Sequence, residues 1–257
     1  MTPGGAAAPG APDVVEVWRI PLGGDDAPAD LADLVGVLDA EERSRAALAA
    51  REELRRRFVI AHGATRHVLG RRLGTAPGAL RFSRGPWGKP EVADAPGLRV
   101  SLTHSGDLAL LAVTGSGRAV GVDVESLRPD GDGLRLARRF FPAAERDLVT
   151  GGDAGRVFTR LWTRKEACVK AAGGRLTQGF AVPVGHGTGR EAEEHTEPVT
   201  VRGPDSGLPG PWTLRDLVMP DPGYSAAIAL DGEGPFRTRL RVWRAAAQTD
   251  QYAGGIP

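Results

Sequence analysis

Two carboxylates two residues apart in a short β-branched run, Gly121-Val122-Asp123-Val124-Glu125, are the first side chains in this sequence with an evident chemical use. A strand's period of two sends Val120, Val122 and Val124 to one face and Gly121, Asp123 and Glu125 to the other, so both acids point the same way, outward. Like charges so placed repel, and a divalent cation that takes oxygen ligands, such as Mg²⁺, would relieve them. A plain acidic face on a half-exposed strand fits the alternation equally well.

The second candidate is the run Phe158 to Lys170. At about 100° per residue, Phe158, Leu161, Trp162, Cys168, Val169 and Ala172 form an apolar stripe, with Glu166 and Lys170 beside it. Alone, that pair also fits a surface i,i+4 ion pair worth about 0.3 kcal/mol. Together the two elements offer three acids and a lysine. Phosphoryl-type transfer asks for such a set: a metal held by carboxylates and a base near the incoming hydroxyl. The sequence has no GxxxxGK[ST] loop, no strand-linked GxGxxG, no HExxH and no GxSxG, which leaves P-loop, dinucleotide-binding, metalloprotease and common hydrolase readings without support.

The elements that must position these residues are legible in outline. Val14 to Ile20 reads as a strand, and residues 40–70 as one long helical stretch with Leu48, Leu54, Phe58, Ala61, Thr65 and Val68 at helical spacing and Gly63 as a bend or close contact. Strands are expected at Leu80–Ser83, Leu98–Leu102, Leu108–Val113 and Ala119–Glu125, with Thr103 to Asp107 as a loop. Helices are expected around 134–149 and 155–172, the latter capped by Gly173-Gly174, and strands at Trp212–Val218, Tyr224–Leu230 and Leu240–Trp243. Such interleaving implies an α+β or α/β fold. Residues 1–12 and 246–257 read as loose tails, and 184–211 as including a long loop.

With 41% hydrophobic and 25% charged residues the composition is that of a globular protein. The net charge of +1 hides arginine clusters at 55–57, 71–72 and 138–139, suited to phosphate or an acidic partner, or to plain solvated helix faces. The one cysteine, Cys168, the lack of an apolar h-region at the N-terminus, and the lack of an apolar run near the ~20 residues of a spanning helix all point to the cytosol. Of the 33 basic residues only Lys89, Lys165 and Lys170 are lysines, and all three lie in or beside the motifs.

The chain resembles the Sfp-type 4'-phosphopantetheinyl transferases. The resemblance rests on Gly121 to Glu125 and on Trp162 to Lys170, which matches W-[ST]-x-K-E-[AS]-x-x-K. It extends to Gly88-Lys89-Pro90, Thr103-His104-Ser105-Gly106, Phe140-Phe141-Pro142 with Glu145, and Pro222-Gly223-Tyr224. It implies transfer of the phosphopantetheine arm of coenzyme A to a serine of an apo acyl, peptidyl or aryl carrier protein, with release of 3',5'-ADP, serving fatty acid, polyketide or nonribosomal peptide synthesis. By that likeness Asp123, Glu125 and Glu166 hold Mg²⁺, Asp123, Glu166 and Lys170 are catalytic, and Glu166 is the base. Arg57, Lys89, Thr103, His104, Lys165 and Lys170 would bind coenzyme A, Arg57 and His104 through phosphate. Near the 3'-phosphate, Glu41 and Ser44 stand at the aligned positions with Arg43 and Arg45 beside them. The implied fold is two similar α+β halves about a pseudo-twofold axis, here 13–119 and 120–245, in a cytoplasmic monomer that engages neither nucleic acid nor membrane.

Overall fold

The acidic run forms β6 (Val120–Ser126), an edge strand of a four-stranded sheet ordered β6-β9-β8-β7, in a computed structural model that describes residues 12–185, 199–203, 208 and 210–245. Its partners are β7 (Val199–Val201), β8 (Trp212–Asp216) and β9 (Tyr224–Asp231). A second four-stranded sheet, ordered β10-β1-β5-β4, is built from β1 (Asp13–Pro21), β4 (Arg99–Ser105), β5 (Leu108–Thr114) and β10 (Phe236–Val242). β2 (Phe82–Arg84) and β3 (Pro90–Val92) form a separate hairpin. The helices are α1 (Ala32–Gly36), α2 (Ala40–Ala47), α3 (Glu52–Leu73), α4 (Asp130–Phe140), α5 (Ala143–Arg146), α6 (Ala154–Ala172) and α7 (Leu176–Gly179). The class is mixed α+β. No helix among the described residues is long and apolar enough to cross a membrane.

The valine face of β6 does what its alternation predicts. Val120, Val122 and Val124 meet Ala226, Ile228 and Leu230 of their own sheet and Val15, Val17, Leu108, Leu110 and Ala112 of the other, so the two sheets pack face to face. A long helix covers each outer face. α3 lays Ile60 and Leu69 on Ile20, Leu111 and Val113, and α6 lays Leu161 and Cys168 on Trp212, Leu214 and Ala229. Each such side chain contributes about 1.5–3 kcal/mol of burial. Arg164 and Arg160 clamp α6 to β8 through Asp216, at 2.7 and 2.6 Å.

The acidic face of β6 lies under α6 and not outward as expected. Gly121 lets α6 approach so closely that a Cβ there would stand 2.0 Å from the Ala167 carbonyl oxygen, and Asp123 is only 3% exposed.

The stretch expected as one helix over 40–70 is two. Asp39 caps α2, its carboxylate accepting from the Glu42 N–H while Glu42 reaches back. The chain then folds back so that the buried Arg66 of α3 pairs with Asp39 and, at 2.6 Å, with Glu42. Leu48, between the helices, is 81% exposed, so the expected stripe does not begin there. Gly63 does mark a close contact: its Cβ would lie 2.9 Å from that of Leu34. The loop expected at Thr103–Asp107 is mostly strand. β4 continues through Ser105 and turns at Gly106 and Asp107 into β5, so Thr103 and His104 are strand residues paired with Leu110 and Ala109.

A strand, a long helix and a hairpin follow in the same order twice, β1-α3-β4-β5 and β6-α6-β8-β9, and in each the first strand pairs antiparallel with the hairpin's second. β10 departs from that scheme by returning to the first sheet, parallel to β1. Residues 1–11 and 246–257 of the expected tails, and most of the expected 184–211 loop, lie outside the described residues.

Candidate active site

β4, β6 and α6 converge on Asp123. Its Oδ1 accepts from the Lys170 ammonium at 2.6 Å and from the Thr103 hydroxyl at 2.9 Å, and Lys170 also donates to Thr103 at 2.9 Å, closing a three-membered ring. Its Oδ2 is buried without a hydrogen-bond partner, a position that costs about 1–3 kcal/mol or more for a charged group. Burial pushes the Asp123 carboxyl up to about 6, Lys170 and its hydrogen bond pulling it down and Glu125 adding to the rise.

Glu166 comes in from α6 one turn before Lys170 and stands half-buried. Burial, then the charge of Asp123, push it up to about 7 against the pull of Lys170, with Glu125 raising it further. Glu125 closes the group from the end of β6, its Oε2 accepting from the Ser105 hydroxyl at 2.9 Å. Three carboxylates thus feel one another's charge beside one ammonium. That crowding, with an orphaned buried oxygen at its centre, suits a hard divalent cation. As the side chains stand, no three His, Cys, Asp or Glu among the described residues are placed to hold an ion. With Glu125 held by Ser105, the half-buried Glu166 is the one that would have to turn inward.

Beside the carboxylates opens a cavity of about 290 Å³ between α2, α3, β4 and the β2–β3 hairpin, with Arg45, His62, Phe82, Arg84, Leu102 and His104 in its wall. Loss of water around the ring, then the positive charge of His62, Lys170 and Arg57, hold His104 below the usual imidazole range against Glu125. His62 stacks on Phe58 at 4.0 Å and reaches Glu42 at 3.2 Å. Arg84 is ion-paired with Glu41, whereas Ser44 is exposed and not in the wall. Arg57 lies at the α3 edge of the site, its guanidinium held by Asp107 at 2.7 Å and Glu53 at 2.6 Å.

Of the three lysines, only Lys170 meets the carboxylates. Lys165, five residues earlier on α6, points to the opposite side, where its ammonium pairs with Glu145 at 2.5 Å and donates to the Phe180 and Val182 carbonyls at 3.0 and 2.5 Å. Lys89 donates to the carbonyls of Val120 at 2.9 Å and Ala171 at 3.2 Å, fastening the hairpin to the start of β6 and the end of α6, and burial pushes its ammonium down to about 8.

Sequence reasoning missed Ser105, His62 and Arg84. The signal for Ser105 was present in the Ser101-x-Thr103-x-Ser105 alternation, which marks one strand face carrying hydroxyls. His62 and Arg84 carry no local signal, since only the fold brings α3 and the hairpin to the same cavity.

Comparison with known proteins matches residues 119–218 to the model of the 4'-phosphopantetheinyl transferase superfamily, the segment holding β6 and α6. The chain is 36% identical over 228 residues to the 4'-phosphopantetheinyl transferase HetI of Nostoc sp. strain PCC 7120, covering 86% of this chain and 90% of HetI. It is 31% identical over 192 residues to 4'-phosphopantetheinyl transferase psf-1 of Bacillus pumilus, covering 74% and 75%. To 4'-phosphopantetheinyl transferase Sfp of Bacillus subtilis strain 168 it is 26% identical over 194 residues, covering 74% and 81%.

Proposed function

Since this chain belongs to the 4'-phosphopantetheinyl transferase superfamily, we propose that it transfers the phosphopantetheine arm of coenzyme A to a serine of an apo carrier protein, releasing 3',5'-ADP, at the Asp123–Glu125–Glu166 site. The observation that carries this reading is the Asp123–Thr103–Lys170 ring with Glu166 one helical turn away. In the reaction the serine oxygen forms a bond to the phosphorus on the pantetheine side, and the bond from that phosphorus to the bridging oxygen breaks, that oxygen leaving as part of 3',5'-ADP.

Glu166 is the proton acceptor for the serine, directly or through water. In the ion-free site, burial and the charge of Asp123 favour a proton on this carboxyl, so it is a group that can take one up. Lys170 uses two of its three hydrogens on Thr103 and Asp123, so one remains for a diphosphate oxygen, where it offsets charge on the departing phosphate. Asp123, through its unpartnered Oδ2, and Glu125 and Glu166 are the residues that would hold Mg²⁺, which when bound supplies positive charge against the diphosphate. His104 and Arg57 face the nucleotide end through its phosphates, with Thr103 kept for the Asp123 ring. Lys89 and Lys165 act on the scaffold, holding β6 and α6 in register.

The twice-repeated strand–helix–hairpin supports two halves related by a pseudo-twofold axis. Arg138 and Arg139, exposed in the last turn of α4, suit the acidic surface of a carrier. On the family likeness the enzyme works as a cytoplasmic monomer without nucleic-acid or membrane partners.

The test is incubation with coenzyme A, Mg²⁺ and apo carriers of the acyl and peptidyl kinds, read by intact-mass spectrometry. Addition of one phosphopantetheine to the carrier serine is expected, and it should vanish with EDTA and in D123A. No addition to any carrier refutes the function, and full activity of D123A refutes the site.

A further inference from the structure

β4 and β6 belong to different sheets, yet β4 runs along the open edge of β6 and presents a hydroxyl every second residue. Ser101 Oγ accepts from the Val122 N–H at 3.1 Å, Thr103 donates to Asp123, and Ser105 Oγ accepts from the Ser126 N–H at 3.1 Å while lying 2.9 Å from Glu125 Oε2. The Ser101 and Ser105 hydroxyls satisfy edge N–H groups that would otherwise be lost to burial. At the second and third rungs, Thr103 and Ser105 each donate to one oxygen of an acid.

We propose that Ser105 is the positioning residue of Glu125: by engaging Oε2 it commits the other carboxylate oxygen, Oε1, to the divalent ion. The inference rests on the reading of Asp123, Glu125 and Glu166 as ion ligands. A serine hydroxyl has one proton to give. The Ser126 N–H takes up acceptor capacity on Ser105 Oγ, and Ser126 Oγ lies farther off at 3.4 Å, so that proton goes to Glu125. Ser105, paired with Leu108, leads into a turn fixed by its surroundings. Its neighbour Gly106 turns at φ +54, where a Cβ would stand 2.8 Å from the Tyr224 hydroxyl and 3.1 Å from Ser126 Oγ. The Asp107 N–H donates to that Tyr224 hydroxyl at 3.2 Å, and the Asp107 carbonyl accepts from the Leu22 N–H at 2.8 Å. Partners that orient a metal ligand from behind usually matter 10–100-fold to affinity, as a rough scale.

Mn²⁺ binding, followed by the electron paramagnetic resonance of the free ion with coenzyme A present, tests this on S105A and S101A alongside thermal unfolding of each. S101A removes a stitch of the same kind between the same strands but touches no carboxylate. S105A is expected to weaken Mn²⁺ binding about tenfold or more while S101A leaves it near wild type. If S105A does not fold, S105C keeps the size with a poor donor and must show the loss. Wild-type affinity in S105A or S105C, or equal weakening in S101A, overturns the assignment. A wild-type protein that binds no Mn²⁺ overturns the metal reading of the carboxylates, and the inference falls with it.

Discussion

Lys165 sits within the transferase motif, and the fold gives it a purely structural task that a mutation can expose. Its side chain is 1% exposed and that of Glu145 5%; the ammonium is ion-paired with Glu145 at 2.5 Å and donates to the carbonyls of Phe180 and Val182. Buried and neutralised there, it does not reach the surface where a substrate phosphate would lie. Glu145 in turn accepts from the Val184 N–H at 2.6 Å, so the pair pins the segment after α7 against α6. K165M removes the cation and leaves a buried carboxylate and two carbonyls unmatched. Breaking a buried pair from one side costs about 3–5 kcal/mol. At about 2–4 °C per kcal/mol for a chain of this size, Tm should fall by roughly 6–20 °C. Adding E145Q should recover most of that loss, because the amide oxygen still serves Val184 and no charge is left behind. The assay is thermal unfolding by calorimetry on wild type, K165M and K165M/E145Q, with turnover measured well below the lowest Tm, where kcat should stay within about threefold of wild type. A K165M protein of unchanged Tm whose turnover collapses by about 100-fold or more would place Lys165 in the chemistry and refute the argument.

Four further outcomes are expected. Asp123 and Glu166 are raised to about 6 and about 7, so the metal-free native state binds protons that the unfolded chain releases; their contribution to stability is therefore lost as pH rises from about 4 to about 7, and E166Q should flatten that fall in Tm, whereas an identical slope in E166Q contradicts the assignment. K89M should cost about 1–3 kcal/mol in urea unfolding by orphaning the Val120 and Ala171 carbonyls; unchanged stability with weakened coenzyme A binding would instead make Lys89 a nucleotide ligand. G121A drives a methyl into the α6 backbone and should exceed the usual ~1–3 kcal/mol of overpacking, seen as a large Tm drop or insoluble protein; a normal Tm would mean α6 is free to move off β6. Charge reversal in R138E/R139E should raise the KM for the carrier several-fold, on the scale of about 1 kcal/mol, with that for coenzyme A unchanged; an unaffected carrier KM removes α4 from the docking face.

What the sequence disclosed followed from local periodicity. The period of two in 120–125 named the valine face and the acid face correctly, and the 100° step along α6 put Glu166 beside Lys170. Exposure was beyond its reach: the same alternation describes an acid face in water or one under a helix, and only Gly121 hinted at a close approach. The lysines show the difference between motif and geometry. Five residues on a helix amount to about 140°, so Lys165 and Lys170 cannot serve one site although both lie in one motif. The break at 48–51 has no proline or glycine to announce it, because Asp39 and Glu42 are drawn to Arg66 by a contact distant in sequence. The cavity wall was unreadable for the same reason: α2, α3, β4 and the β2–β3 hairpin converge there only in three dimensions.

The return of β10 to the first sheet has a consequence for how the molecule comes into being. A ribosome delivers β1, β4 and β5 early, yet β1 remains an open edge until residues 236–242 arrive, after the whole second sheet and α6 have been made. Trp243, 1% exposed in the first core, arrives later still. The first half therefore spends most of synthesis as an incomplete sheet with a β-branched strand exposed, and it cannot be finished as an independent unit ahead of the second. Chains released short of residue 236 would carry the entire Asp123 site and still lack the strand that seals the fold.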